Sequence, residues 1–179
     1  MNNTFVKTLL FSFLIAGLPL FADEPEPAEH MAMYEPFSGQ WESETETTVI
    51  EAGETTKLKG GWEQRSILDG AMIEMKGYEN VEGETYHYMW LYGYDAREKA
   101  YVGWFHDMRG LNSKFYGNWS EEKKQMTWTL ADSEEVGIMV TIVDDLSDPD
   151  GISFTFKLEG EDGQLIMTQK GHAKRVKEE

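Results

Sequence analysis

Two histidines occupy positions from which a metal site could be built. His87 and His106 flank a predicted turn at 95–98, and a four-residue turn between paired strands places them directly opposite each other. Two imidazoles on one face can begin a zinc or copper site. A catalytic zinc needs a third protein ligand; no nearby residue supplies one, and a register shift of one residue would separate the pair. The pattern therefore predicts no metal site.

The acidic run from Asp144 to Gly151 is a second candidate for ion binding. Calcium loops place ligands at alternating positions with a glutamate at a set distance, whereas this run lacks that pattern and is typical of a Pro-Asp-Gly turn. For catalysis, the chain has no cysteine, no Gly-x-Ser-x-Gly and no phosphate-binding glycine loop. The sequence therefore predicts a protein that is not an enzyme and holds no cofactor.

The elements that would position these side chains are strands. From Phe37 onward apolar and polar residues alternate strictly, which is typical of strands with one face in a core and one in water. Gly- and Asp-containing turns separate the segments at hairpin spacing. Because so many consecutive strands must hide their edges, the sequence predicts an all-β fold, a single antiparallel up-and-down β-barrel of about ten strands. The clearest alternating segments are 41–49, 56–68, 126–130, 138–142 and 152–158.

One hairpin, at residues 86–106, departs from simple alternation. A stripe of four tyrosines and Trp90 shares one face of its first strand, yet Met89 and Leu91 lie on the other, and its second strand is also apolar on both faces. Contiguous exposed aromatic residues usually mark a contact surface. Two interpretations stay open: another element covers the hairpin, or it is an interaction surface for a partner or a second copy.

The first 35 residues differ in composition from the rest. Lys7, an apolar run from Leu9 to Leu20 and Ala22 before acidic residues are typical of a signal peptide over 1–22. A membrane anchor is the rival interpretation, but it needs about 20 apolar residues, and Pro19 with the acids that follow shortens the run. Residues 23–35 are acidic and Pro-containing, which predicts a flexible leader before a barrel domain over 36–177.

The excess of acidic residues limits which partners the protein can bind. The chain has 33 Asp and Glu against 16 Lys and Arg, and Lys7 would leave with the signal peptide. Nucleic acids and anionic lipids are recognised through basic patches, so the sequence predicts no nucleic-acid partner and no stable membrane insertion after signal cleavage. The predicted location is exported, either periplasmic or secreted.

Several short motifs resemble a known family. Gly39-Gln40-Trp41 on the first strand and Arg175 on the last resemble the lipocalin-type pairing of Gly-x-Trp with a basic residue. The chain is more similar to the secreted bacterial domain of unknown function 1579 family, through Leu68-Asp69-Gly70, Gly93-Tyr94-Asp95, Lys99-Ala100-Tyr101-Val102, Trp104, Asp107, Gly117 and Trp119. The resemblance implies a lipocalin-like barrel, closed at one end by Gly39, Trp41 and Arg175, and no established activity.

Some haem-binding barrels similar to lipocalins use a histidine of the last strand. If Arg175 points inward, however, His172 points outward, and the first strand lacks the additional glycines of such barrels. A haem or metal protein is therefore the distant alternative.

Two hypotheses for function come from different classes. The first is a binding module that holds a small apolar or amphipathic ligand in the barrel, with walls formed by Trp62, Trp90, Trp104, Phe154 and Phe156. The second is an envelope interaction protein or homo-oligomer that uses the aromatic hairpin.

Overall fold

The computed structural model describes residues 26–177. The predicted signal peptide and residues 23–25 of the predicted leader lie outside the described residues. Two short helices precede the strands, α1 (Pro27–Met31) and a 3₁₀ helix (Ala32–Phe37), and α2 (Ser133–Val136) lies between two strands. The ten strands are β1 (Gly39–Val49), β2 (Glu54–Ile67), β3 (Met72–Val81), β4 (Glu84–Asp95), β5 (Ala100–Asp107), β6 (Asn112–Ser120), β7 (Gln125–Leu130), β8 (Ile138–Asp148), β9 (Gly151–Gly160) and β10 (Leu165–Arg175).

The strands form one closed antiparallel barrel. Each strand pairs with the next along the chain, and β1 pairs with β10 to close the sheet. In this last ladder Trp41 lies opposite Arg175 and Val49 opposite Met167. Because every strand of the barrel has two neighbours, no edge is left to pair with another chain. The predicted up-and-down barrel of about ten strands is confirmed.

Strand alternation separates a polar exterior from an apolar interior. On β1 the outward glutamates face lysines of β2, with Lys57 Nζ 2.9 Å from Glu46 Oε1 and Lys59 Nζ 3.8 Å from Glu44 Oε1. Such exposed ion pairs contribute little to stability, because water and salt screen the charges. The inward positions supply the buried core, which includes Trp41, Ile73, Tyr92, Phe115, Met126, Trp128 and Ile152.

The segment before β1 covers one end of the barrel, which we call the capped end. Its side chains Met31, Tyr34 and Phe37 are buried against the core. These residues recur every third position, the period of a 3₁₀ helix, so one face of the segment is apolar although its composition is acidic. The prediction of a flexible leader is therefore corrected for residues 27–35, because burial of this face fixes the segment on the barrel.

The opposite end, which we call the far end, consists of the connections at 50–53, 82–83, 108–111, 131–137 and 161–164. At the capped end, the four residues 68–71 connect β2 to β3, and three of them, Leu68, Asp69 and Gly70, have positive φ angles. Within residues 26–177, no helix is long and apolar enough to cross a membrane.

Candidate functional site

The barrel encloses a cavity of about 520 Å³. It extends from Tyr34 at the capped end to Arg109 and Leu111 at the far end. Leu111 is 54% exposed, so the cavity meets solvent at the far end. The wall between these ends is mainly aromatic and aliphatic, and includes Met75, Phe105, Phe115, Ile138, Val140, Ile142 and Leu158.

Four of the five predicted wall residues line this cavity: Trp62, Trp90, Phe154 and Phe156. Trp104 does not, and this prediction is corrected. Trp104 lies opposite Leu91 on the outward face of the β4–β5 ladder and is 36% exposed. Both faces of β5 are apolar, so alternation alone did not identify which face points inward.

The tyrosine stripe of β4 faces the interior. Tyr86, Tyr88, Trp90 and Tyr92 all line the cavity, and the Trp90 ring centroid lies 4.9 Å from that of Phe115. This face is therefore not an exposed contact surface, which removes the tyrosine stripe from the interaction hypothesis. Homo-oligomerisation itself stays a prediction.

Glycines make room for these rings. Gly77 lies opposite Tyr88, and a Cβ added there would come within 2.3 Å of the Tyr88 ring. Gly171 likewise lies opposite Phe154, and a Cβ added there would come within 2.0 Å of the Phe154 ring. The rings thus lie flat on the barrel wall over positions without side chains, and this packing leaves the centre of the barrel open.

The capped end of the cavity carries a group of polar side chains that we call the polar floor: Tyr34, Trp62, Gln64 and Asp144. Three of its atoms, Tyr34 Oη, Trp62 Nε1 and Gln64 Nε2, are buried without a hydrogen-bond partner among the described residues. Leaving a buried polar group unpaired costs about 1–3 kcal/mol. These three atoms have almost no accessible surface and are enclosed by the surrounding side chains, whereas Asp144 keeps some accessible surface and lines the cavity.

The remaining bonds of the polar floor hold it in place. The Tyr92 hydroxyl donates to Gln64 Oε1 at 2.8 Å, which leaves the amide nitrogen of Gln64 free. The indole N–H of Trp128 donates to Asp144 Oδ2 at 3.1 Å. Asp144 faces inward opposite Phe154, and its remaining accessible surface borders the cavity, so its carboxyl is deep in the barrel yet within reach of a ligand.

Burial changes the acidity of these groups. Desolvation raises the pKa of Asp144 to about 6, against an ordinary value of 3.8, although the hydrogen bond from Trp128 acts in the opposite direction. Burial also raises the pKa of Tyr34 and of Tyr92, and the nearby Asp144 adds to both shifts. The phenols are therefore neutral near pH 7, while Asp144 titrates close to the physiological range.

The far end carries a second polar group. The Tyr86 hydroxyl donates to Asp107 Oδ2, and Arg109 lies over the Tyr86 ring at 4.6 Å from its centroid. Asp107 Oδ1 also accepts the backbone N–H groups of Arg109 and Leu111, each at 2.9 Å. The Tyr86 hydroxyl, followed by these N–H groups, lowers the pKa of Asp107. Asp107 thus organises the 108–111 turn at the cavity entrance.

The residues considered for metal binding do not converge. His87 lies beside Met108, whereas His106 pairs with Met89. The prediction that the two histidines lie opposite each other is therefore wrong, because the strand register differs from the expected one by two residues. His172 is exposed and contacts Ser153. Within residues 26–177, no group of three or more acidic or histidine side chains is placed to hold a metal ion.

Gly39, Trp41 and Arg175 meet at the capped end. The Arg175 guanidinium lies 4.5 Å from the Trp41 ring centroid and donates to the carbonyl oxygens of Ser38 at 2.6 Å, Pro149 at 3.1 Å and Pro36. Gly39 has a φ of +132°, and a Cβ there would lie 2.9 Å from Arg175 Nη1. These contacts tie β1, β10 and the N-terminal segment together.

Sequence reasoning missed three members of the polar floor. Gln64 lies two residues after the inward Trp62, and Asp144 lies two residues after the inward Ile142, so strand alternation places both on the inward face. A polar residue at an inward position was therefore the signal that could have identified them. Tyr34 had no comparable signal, because it lies in the segment that was predicted to be flexible.

Comparison with known proteins identifies both a family and a fold. The family described as "Protein of unknown function (DUF1579)" matches residues 26–175, whereas no curated protein matches the chain. The S-type phycobiliprotein lyase CPES from Guillardia theta has a TM-score of 0.58 at 12% identity, covering 86% of this chain and 95% of that one. Rv2717c from M. tuberculosis has a TM-score of 0.63 at 9% identity, covering 86% and 100%. At such identities these likenesses show the shared fold alone.

Proposed function

The chain belongs to the DUF1579 family, and from its barrel and cavity we propose that it is an exported lipocalin-like protein that binds a small amphipathic ligand in its interior. The observation that carries the proposal is the cavity of about 520 Å³ with an aromatic wall and a polar floor. Ligand sites in proteins are typically cavities of about 300–1,000 Å³ with mostly apolar walls and a few placed polar groups.

Binding is proposed in preference to catalysis. Among the described residues that line the cavity there is no histidine, and the two cavity carboxylates, Glu79 and Asp144, are near opposite ends. One structure of similar fold is named a phycobiliprotein lyase, so a catalytic role is known for a protein of this fold. The chemistry of the present cavity is better suited to holding a molecule than to activating one.

Export is part of the proposal and is supported by residues 1–22, whose charged start, apolar run and small final residue are typical of a signal peptide. The absence of cysteine is compatible with an oxidising compartment, because a barrel of this size is stabilised by its core without disulfides.

A neutral fluorescent probe, N-phenyl-1-naphthylamine, tests binding. We expect its emission to increase and shift to the blue with the mature chain, because the aromatic wall excludes water from the probe. The variant Ile142→Trp fills the cavity and should weaken binding at least about tenfold. Val143→Trp, next to it on the outward face of β8, is the matched control and should bind normally.

A second filling variant, Ser113→Phe, narrows the cavity near the far end and serves if Ile142→Trp does not fold, as judged by circular dichroism. Equal binding by the wild type, the filling variants and the outward control would show that the probe binds outside the barrel and would refute the proposal.

A further inference from the structure

The acidic side chains of the cavity lack cationic partners. Among the described residues that line the cavity, the carboxyls are Glu79 and Asp144, and the one cationic side chain is Arg109. The Arg109 guanidinium lies over the Tyr86 ring at the far end, and its Nε is 3.7 Å from Asp107 Oδ2. Arg109 thus has an acidic partner of its own, and the interior carries negative charge that no described cation balances.

Asp144 is the carboxyl placed to contact a ligand deep in the barrel. It faces inward and keeps accessible surface where it lines the cavity, unlike the three enclosed atoms of the polar floor. Among the described residues one donor bonds this carboxyl, the indole N–H of Trp128, which reaches Oδ2 at 3.1 Å. The other oxygen, Oδ1, is therefore left to accept a hydrogen bond from a ligand.

Aromatic rings surround this carboxyl. Trp128 bonds it, the ring centroid of Tyr92 lies 5.6 Å from that of Trp128, and Phe154 lies opposite Asp144 on β9. All three rings line the cavity. The face of an aromatic ring attracts a cation, most strongly where water is excluded. A carboxylate among aromatic rings therefore favours a positively charged group over a neutral or negative one.

We infer that the ligand is an amphipathic amine, whose ammonium group donates to Asp144 while its apolar part lies along the aromatic wall toward the far end. This inference rests on the proposed function and specifies the chemical class of the ligand and its orientation. The carboxylate is already largely removed from bulk water in the folded protein, so the desolvation that opposes a buried ion pair falls mainly on the ammonium group. The ligand then relieves the unfavourable burial of this charge, which the raised pKa of Asp144 reflects.

Other ligand ends fit less well. A carboxylate would lie beside Asp144, and like charges in a low-dielectric interior repel each other. A hydroxyl group can donate to Asp144, but its hydrogen bond is weaker than one in which the donor also carries a charge. A hydrocarbon end would leave the buried carboxylate without a new partner.

Displacement of bound N-phenyl-1-naphthylamine by decan-1-amine, decan-1-ol and decanoate tests this inference, because the three molecules share an alkyl chain and differ in the charge of the head group. At pH 7.5 we expect decan-1-amine to bind at least about tenfold more tightly than decan-1-ol, the effect of one hydrogen bond between charged groups. Decanoate should bind more weakly than decan-1-ol by a similar factor.

The variant Asp144→Asn keeps an acceptor for the Trp128 N–H and removes the charge. It should bring the affinity for decan-1-amine to within about threefold of that for decan-1-ol, while decan-1-ol binding changes little. Asp145→Asn removes the same charge from the outward face of β8 and is the matched control, so it should preserve the preference. A purely structural role for Asp144 would weaken the binding of all three compounds together.

A pH series on the wild type tests the same contact without a substitution. The titratable groups near Asp144 are the phenols of Tyr34 and Tyr92, and both stay neutral because burial raises the pKa of each. The adjacent strands contribute the uncharged Trp128 and Phe154. Because its pKa is about 6, Asp144 is about one-tenth ionised at pH 5. Decan-1-amine should therefore bind about tenfold more weakly at pH 5 than at pH 7.5, whereas decan-1-ol binding should change little.

Glu79, the other cavity carboxyl, provides the test of position. Desolvation raises its pKa as well, but it pairs with Tyr86 near the far end. The variant Glu79→Gln should therefore keep both the preference for decan-1-amine and its pH dependence.

Four outcomes would overturn the inference while leaving ligand binding intact: equal affinities for the amine and the alcohol in the wild type, a preference for decanoate, a preference for the amine that is lost in Glu79→Gln but kept in Asp144→Asn, or displacement of the probe by none of the compounds. Failure of the probe itself to bind in the barrel would instead refute the proposed function, so the two failures are distinct.

Discussion

The buried carboxyl of Asp144 should make the stability of the barrel depend on pH in an unusual direction. Its pKa is about 6 in the folded protein, because burial disfavours the charged form, against an ordinary value of 3.8. The folded protein therefore holds this proton more tightly than the unfolded chain does. Below pH 3.8 both states are protonated and there is no penalty, whereas the penalty for ionisation grows up to about pH 6 and is complete above it.

The size of the effect follows from the two pKa values. A difference of about two pKa units corresponds to about 3 kcal/mol of lost stability above pH 6, most of it between pH 4 and pH 7. Water in the cavity solvates part of the charge, so this is an upper value. The variant Asp144→Asn keeps an acceptor for the Trp128 N–H but cannot ionise.

Urea unfolding of the ligand-free wild type and of Asp144→Asn, measured at intervals from pH 4 to pH 7, isolates this contribution from the other carboxylates. We expect the variant to gain stability relative to the wild type as the pH rises, by about 2 kcal/mol over the range.

Asp145→Asn is the control, because the side chain and backbone N–H of Ser147 lower the pKa of Asp145. Its carboxylate already stabilises the fold almost fully above its unfolded pKa of 3.8, so the stability of the control variant relative to the wild type should change little between pH 4 and pH 7, and any change should have the opposite sign. A difference between Asp144→Asn and the wild type that does not change with pH would refute the reasoning.

Three further predictions address closure, packing and export. Arg175→Ala loses three hydrogen bonds to carbonyl oxygens and a ring contact, and should lower the free energy of unfolding by about 2–4 kcal/mol in urea, whereas the outward Lys174→Ala should change it by less than about 0.5 kcal/mol. Gly171→Ala places a methyl group against the ring of Phe154 and should cost about 1–3 kcal/mol and reduce probe affinity; unchanged values would contradict the packing. Intact-mass measurement of protein exported from a bacterial host should show a mature chain that begins at Asp23, and retention of residues 1–22 would contradict the signal peptide.

The barrel could be predicted from the sequence because the pattern that identifies its strands is local. Alternation along each strand depends only on neighbouring residues, and it correctly placed Trp62, Phe154 and Phe156 inside. It gave the wrong face for Trp104, since both sides of β5 are apolar and the pattern there contains no polar side to mark the exterior. Likewise, residues 27–37 form a cap through a spacing of three that acidic composition obscured.

What the sequence by itself determined is the strand periodicity, the turns between strands and the family, because each depends on residue types at short spacing. The tertiary structure alone decided that the barrel contains a cavity and that a polar floor lies within it. Tyr34, Gln64 and Asp144 come from the cap, β2 and β8, and only closure of the sheet brings them to one place. The open volume depends in turn on rings lying flat over Gly77 and Gly171, a packing that no single strand specifies.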